Sequence, residues 1–182
     1  MDYRPLYPAP LRWLSAAIDL WLVVTGLAIV ALVFVNALLR GAAGFDLAWS
    51  LEVTAFLLLW VTFLGCAAAS ARGAHMRVTE IVENLLPRAV HRPLARLIDL
   101  VVAGVLVSLV VVGTSIASHT WAQQTTVLYW PVGLLYASMP VGMLCTLVFH
   151  LANTVLELRD GPFPVDGTSP SDAPLAKVDP IA

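Results

Sequence analysis

LSAAIDLWLVVTGLAIVALVFVNALL, residues 14–39, carries a single charged side chain, Asp19, near its start. An α-helix rises 1.5 Å per residue, so about twenty apolar residues cross ~30 Å of hydrocarbon. This stretch is long enough to span a bilayer, and Leu51–Ala71, Leu97–Ala117 and Val132–Leu156 repeat the pattern. The composition agrees. Hydrophobic residues make up 59 % of the 182 and charged residues 12 %, with a mean hydropathy of +0.85, where soluble domains carry about 25 % charged residues. The expected fold is an all-α integral membrane protein of four transmembrane helices, with residues 14–156 as the membrane domain and no room for an appended soluble enzyme.

Charge sets the expected orientation. Of the ten Lys and Arg residues, nine fall before span one (Arg4, Arg12), between spans two and three (Arg72, Arg77, Arg88, Arg92, Arg96) or after span four (Arg159, Lys177). Arg40 alone falls on the other side. The positive-inside rule then places both termini and the central loop in the cytoplasm. Trp13 and Trp21 lie near the cytoplasmic end of span one. Trp49, Trp121, Tyr129 and Trp130 gather at the opposite interface, where amphipathic rings prefer to lie. Trp60 falls near mid-depth and reads as a packing residue. The first apolar run is longer than the core of about 7–15 residues in a cleaved signal peptide, so residues 1–13 read as a short cytoplasmic segment.

Between spans two and three, Val78, Ile81, Val82, Leu85 and Leu86 recur at helical spacing, with Glu80 and Glu83 on the other face and Pro87 at the end. This predicts a short amphipathic helix over 78–86 lying flat on the cytoplasmic interface. Residues 157–182 combine charge with Pro162, Pro164, Pro170 and Pro174, and read as a disordered tail.

No catalytic or cofactor chemistry is expected. Cys66 and Cys145 are single, far apart and inside spans, unlike a Cys-x-x-Cys redox pair. Haem ligation needs imidazoles at a common depth on facing helices. His75 and His91 belong to the central loop, His119 to the outer end of span three, and only His150 to a span interior. No metal-ligand spacing occurs, and nothing suggests nucleic acid. Asp19, Glu52 and Asp99 all lie near span ends, leaving mid-membrane without charge, whereas ion and proton pathways usually require buried ionisable groups. Packing signals are plentiful by contrast. Gly65/Ala69, Ala67/Ala71, Gly104/Ser108, Gly113/Ala117, Gly133/Ala137 and Ser138/Gly142 are small pairs spaced by four, which let helix backbones approach closely in lipid. Spacing does not tell which pairs serve this chain and which a second protein. At the outer end, Asn36 and Arg40 are i, i+4 neighbours near the end of span one, and Glu52 opens span two after a short loop. The pattern suits either an Arg40–Glu52 ion pair that braces the first hairpin or meets a partner, or ordinary snorkelling charges at helix ends.

Several stretches resemble one family. Trp49-Ser-Leu-Glu-Val, Phe63-Leu-Gly-Cys-Ala-Ala-Ala and Arg72-Gly-Ala-His-Met-Arg-Val78 are similar to the small membrane subunit of tripartite ATP-independent periplasmic (TRAP) transporters, the DctQ type. Asn36-Ala-Leu-Leu-Arg40 matches the end of that family's first span. Pro131 and Tyr136-Ala-Ser-Met-Pro-Val-Gly142 match its fourth. Leu51 and Thr79 depart from it, standing where acidic residues are common. The resemblance implies a non-enzymatic, multi-pass subunit of the bacterial inner membrane. It would pack as a scaffold beside a large membrane subunit that carries the substrate and sodium sites. A periplasmic binding protein would deliver an organic acid, and a sodium gradient would drive uptake. Arg40, Glu52, His75 and Arg77, with Val78, Ile81 and Leu85 of the flat helix, are the expected contacts to that partner or to membrane lipids. Rival readings are a small redox or quinone-linked membrane subunit and a self-assembling four-span channel.

Overall fold

A computed structural model of the chain describes residues 4–73 and 88–160. The interfacial helix expected over 78–86 and the tail beyond 160 lie outside them. Within them the order is a 3-10 turn at Arg4–Leu6, then α1 (Ala9–Ala43), α2 (Ala48–Ala71), α3 (Arg88–His119), α4 (Val132–Tyr136) and α5 (Ser138–Asp160). Four helical stretches are long and apolar enough to cross a membrane, α4 and α5 together forming the fourth, and no strand occurs among the described residues.

The helices outrun the apolar segments that identify them. α1 starts at Ala9 rather than 14, because Pro8 at its N-cap and Pro10 in its first turn occupy positions whose N–H groups have no intrahelical partner anyway. It stops at Gly44, whose φ of +66° suits a residue without Cβ and lets its N–H close on Leu39 O. Asn36 Oδ1 then accepts the Leu47 N–H at 2.9 Å and fixes the turn into α2. α3 begins at Arg88, well before the expected span start at 97. α5 runs through Asp160, so the first residues of the expected tail are helical. The fourth span is broken at Ala137, just ahead of Pro140. Proline has no N–H to offer the Tyr136 carbonyl, and a break there is the usual outcome.

The helices stand in a row. α1 packs on α2, α2 on α5, and α5 on α3, with only marginal contact between other pairs of long helices. Among the described residues no four-sided bundle closes. Each edge helix offers its neighbour one narrow seam. On α1 the shielded positions include Leu11, Ser15, Ile18, Leu22, Thr25, Ile29, Leu32, Asn36 and Leu39, alternating steps of four and three as in a coiled-coil seam. On α3 the seam runs Asp99, Ala103, Leu106, Val110, Gly113, Ala117 and Thr120. The most apolar stretch of α1 is only 6 % buried, against 33 % for the α4–α5 span. Where α5 crosses α2, a Cβ on Gly142 would come within 2.6 Å of Phe63 Cβ, so the approach needs glycine. The core lies between α2 and α5 and against the start of α1: Tyr7, Ile18, Leu64, Ala67, Ala68, Ala71 and Phe149.

The structure sorts the small pairs. Ala67/Ala71, Gly113/Ala117 and Ser138/Gly142 have at least one fully shielded member within the row, and Gly133 abuts Ala117 and Trp121. Gly104/Ser108 on α3 is exposed, with open space beside Gly104.

Candidate functional site

Two polar constellations hold the row, one at each end. Because Tyr7 and Asn153 meet, the start of α1 and the end of α5 share one end, here the termini end; the α1–α2 and α3–α4 loops form the other, the loop end.

At the loop end Glu52 lies in the second turn of α2 and turns toward the α3–α4 loop. One carboxylate oxygen accepts the Thr126 hydroxyl at 2.9 Å and the Val127 N–H at 2.8 Å; the other accepts the Leu128 N–H at 2.9 Å. The loop is closed on itself beneath this contact. Thr125 N–H donates to Trp130 O, Trp130 N–H donates to the Thr125 hydroxyl, and Val132 N–H donates to Gln123 O. Closure puts Tyr129 at φ +54°, an uncommon conformation for a bulky residue. Trp121 and Tyr129 are left exposed, and Trp130 packs edge-on against Phe56, with ring centroids 5.6 Å apart. The ring of Phe56 in turn meets Trp60 at 6.0 Å.

The Arg40–Glu52 ion pair expected from the sequence does not form. Successive residues on a helix are turned about 100° from one another. Ser50, Leu51 and Thr54 face the outer part of α1, while Glu52 is rotated toward the other neighbour. Both its oxygens are taken there. Arg40 remains exposed and makes no ion pair among the described residues.

At the termini end Tyr7 is buried between α2 and α5. Its ring stacks on Phe149 at 5.7 Å, and its hydroxyl donates to Asn153 Oδ1, with Ala71 O also nearby at 3.3 Å. Asn153 Nδ2 donates to Ser70 O at 2.8 Å, so one amide ties the N-terminal segment to both central helices. Outside this cluster Asp19 accepts Arg4 at 2.7 Å and Arg72 at 2.6 Å, joining the first residues, α1 and the end of α2. His150 Nε2 donates to the Asp99 carbonyl at 3.2 Å, linking α5 to α3. Cys66 and Cys145 are free thiols, and no group of three metal-ligating side chains occurs among the described residues. His75, Arg77, Val78, Ile81 and Leu85 lie outside them.

Asp19, Tyr7, Ser70 and Asn153 escape the sequence reading as a group. Asp19 stands out only as a charge near a span end, and Asn153 gives a signal because an amide inside an apolar span is expected to find a partner helix. Tyr7 precedes the apolar run and carries none.

These contacts all fasten helix to helix or helix to loop, and they define a multi-pass membrane protein organised by packing. Residues 29–160 match the family of tripartite ATP-independent periplasmic transporters, DctQ component. The chain belongs to this family, the small membrane component of TRAP transporters, which is a family of transporter subunits and not of enzymes. Among curated proteins, none matches the chain.

Proposed function

We propose that the chain is the scaffold subunit of a sodium-driven TRAP transporter in the inner membrane, with both termini cytoplasmic. It packs beside the large transport subunit, which takes up an organic acid delivered by a periplasmic binding protein. The observation that carries this reading is the open row. A chain that transported alone would enclose a path, whereas helices in single file leave two broad apolar faces for neighbours. Family membership and the bias of Lys and Arg toward one side support it. The outward Gly104/Ser108 pair offers a place where a partner helix can approach closely.

Purifying the tagged chain from native membranes in mild detergent tests the assignment. A large multispanning protein should accompany it in near-stoichiometric amount. Gly104→Leu should leave the fold intact and lower that amount several-fold. A lone stable protein that conducts ions after reconstitution, or a preparation with a haem spectrum, would overturn it.

A further inference from the structure

The outer parts of α1 and α2 diverge around an open groove of about 570 Å³. Its wall is apolar along Val33, Ala37 and Leu51, all exposed. Its upper end holds Arg40, Asn36 and Ser50. Arg40 makes no ion pair among the described residues. The carboxamide oxygen of Asn36 is used by Leu47 N–H, leaving its NH2 as a donor. Ser50 is buried and brings its hydroxyl to the same end of the groove. No acidic side chain lines the groove, and Glu52, one residue from Leu51, has both oxygens engaged on its far side. The groove therefore presents a net positive charge, three donors and an apolar wall. Val33 lies seven residues below Arg40, roughly 10 Å along the helix toward mid-membrane.

The geometry points to a lipid site: an anionic glycerophospholipid of the leaflet at the loop end, its phosphodiester on Arg40, Asn36 and Ser50 and an acyl chain along Val33 and Leu51. Arg is suited to the head because its fork of N–H donors matches two phosphate oxygens. An anionic headgroup is favoured over a zwitterionic one because the groove has no carboxylate to receive an ammonium. The inference needs only that the chain spans a membrane and is independent of what the complex transports.

Native mass spectrometry of the full-length chain in detergent tests it, with dioleoylphosphatidylglycerol or dioleoylphosphatidylcholine added stepwise. One phosphatidylglycerol should be retained per chain, roughly tenfold more readily than phosphatidylcholine. Arg40→Gln should remove that preference and Arg40→Lys keep part of it, while Arg12→Gln, at the other end of α1, should leave it unchanged. Leu51→Trp, which fills the groove and spares Arg40, should displace the lipid without changing the helical circular dichroism. Equal retention of the two lipids, an unchanged Arg40→Gln variant, or retention in folded Leu51→Trp would each overturn the site. Displacement by millimolar inorganic phosphate would replace it with a simple anion site. Loss of the lipid whenever a large partner subunit co-purifies would show that protein, not lipid, fills the groove.

Discussion

At the termini end, a phenol and an amide meet each other and two backbone carbonyls across 64 to 146 positions of sequence; at the loop end, one carboxylate gathers the hydroxyl and backbone N–H groups of a single loop. The first arrangement is buried and depends on the identity of two residues, Tyr7 and Asn153, whose phenol and amide must coincide with each other and with two carbonyls. The second lies open at the membrane edge. It depends chiefly on Glu52, because most of what that residue captures is main chain. Register between α2 and α5 is thus set at the termini end, and the loop end holds the shape of a surface.

If this contrast is right, damage should differ in kind. The largest effect belongs to Asn153→Leu, which keeps the branched shape but removes the amide joining Tyr7 to Ser70. It should cost about 1–2 kcal/mol and lower the thermal midpoint in detergent by several degrees. Tyr7→Phe should cost less, and the pair together less than the sum of the two, since one network is being removed. Additive losses would show that the amide and the phenol act separately.

Glu52→Gln comes next. Its new NH2 cannot accept an N–H, so part of the loop contact is lost while the helices stay packed. Hydrogen exchange at the Val127 and Leu128 amides should quicken, with the thermal midpoint nearly unchanged. A large fall in that midpoint would erase the distinction between the ends.

Arg72→Gln should have the smallest effect. Asp19 keeps Arg4, both partners of the lost pair are partly exposed, and such pairs are worth less than about 1 kcal/mol and weaken with salt. A loss as great as that of Asn153→Leu would place the register in the ion pairs instead.

The four spans were legible because hydrocarbon demands long apolar runs whatever the neighbours are, and the resemblance carried by Trp49 to Val78 led to the right family. The order of helices in the row was not legible. It rests on contacts such as Gly142 against Phe63 and Asn153 against Ser70, which have no period along the chain. Small pairs at the same spacing proved to be of two sorts: Ala67/Ala71 serves the core, and Gly104/Ser108 faces away. Arg40 and Glu52 were singled out on charge and proximity in sequence, but helical rotation sends them to different neighbours. Charge drew attention to both residues without marking what they touch.

The contact between Tyr7 and Asn153 also sets an order of events. Tyr7 leaves the ribosome well before its partner, which follows 146 positions later. At about 5–20 residues per second, that is a wait of roughly 7–30 s. Until α5 is inserted, the crevice that receives the ring has only one wall, and the phenol must stay in water or among headgroups. The lock can therefore close only on a chain whose fourth span is in place. A product truncated before α5 would leave the segment around Tyr7 undocked, which gives membrane proteases a means of telling chains that have inserted α5 from those that have not.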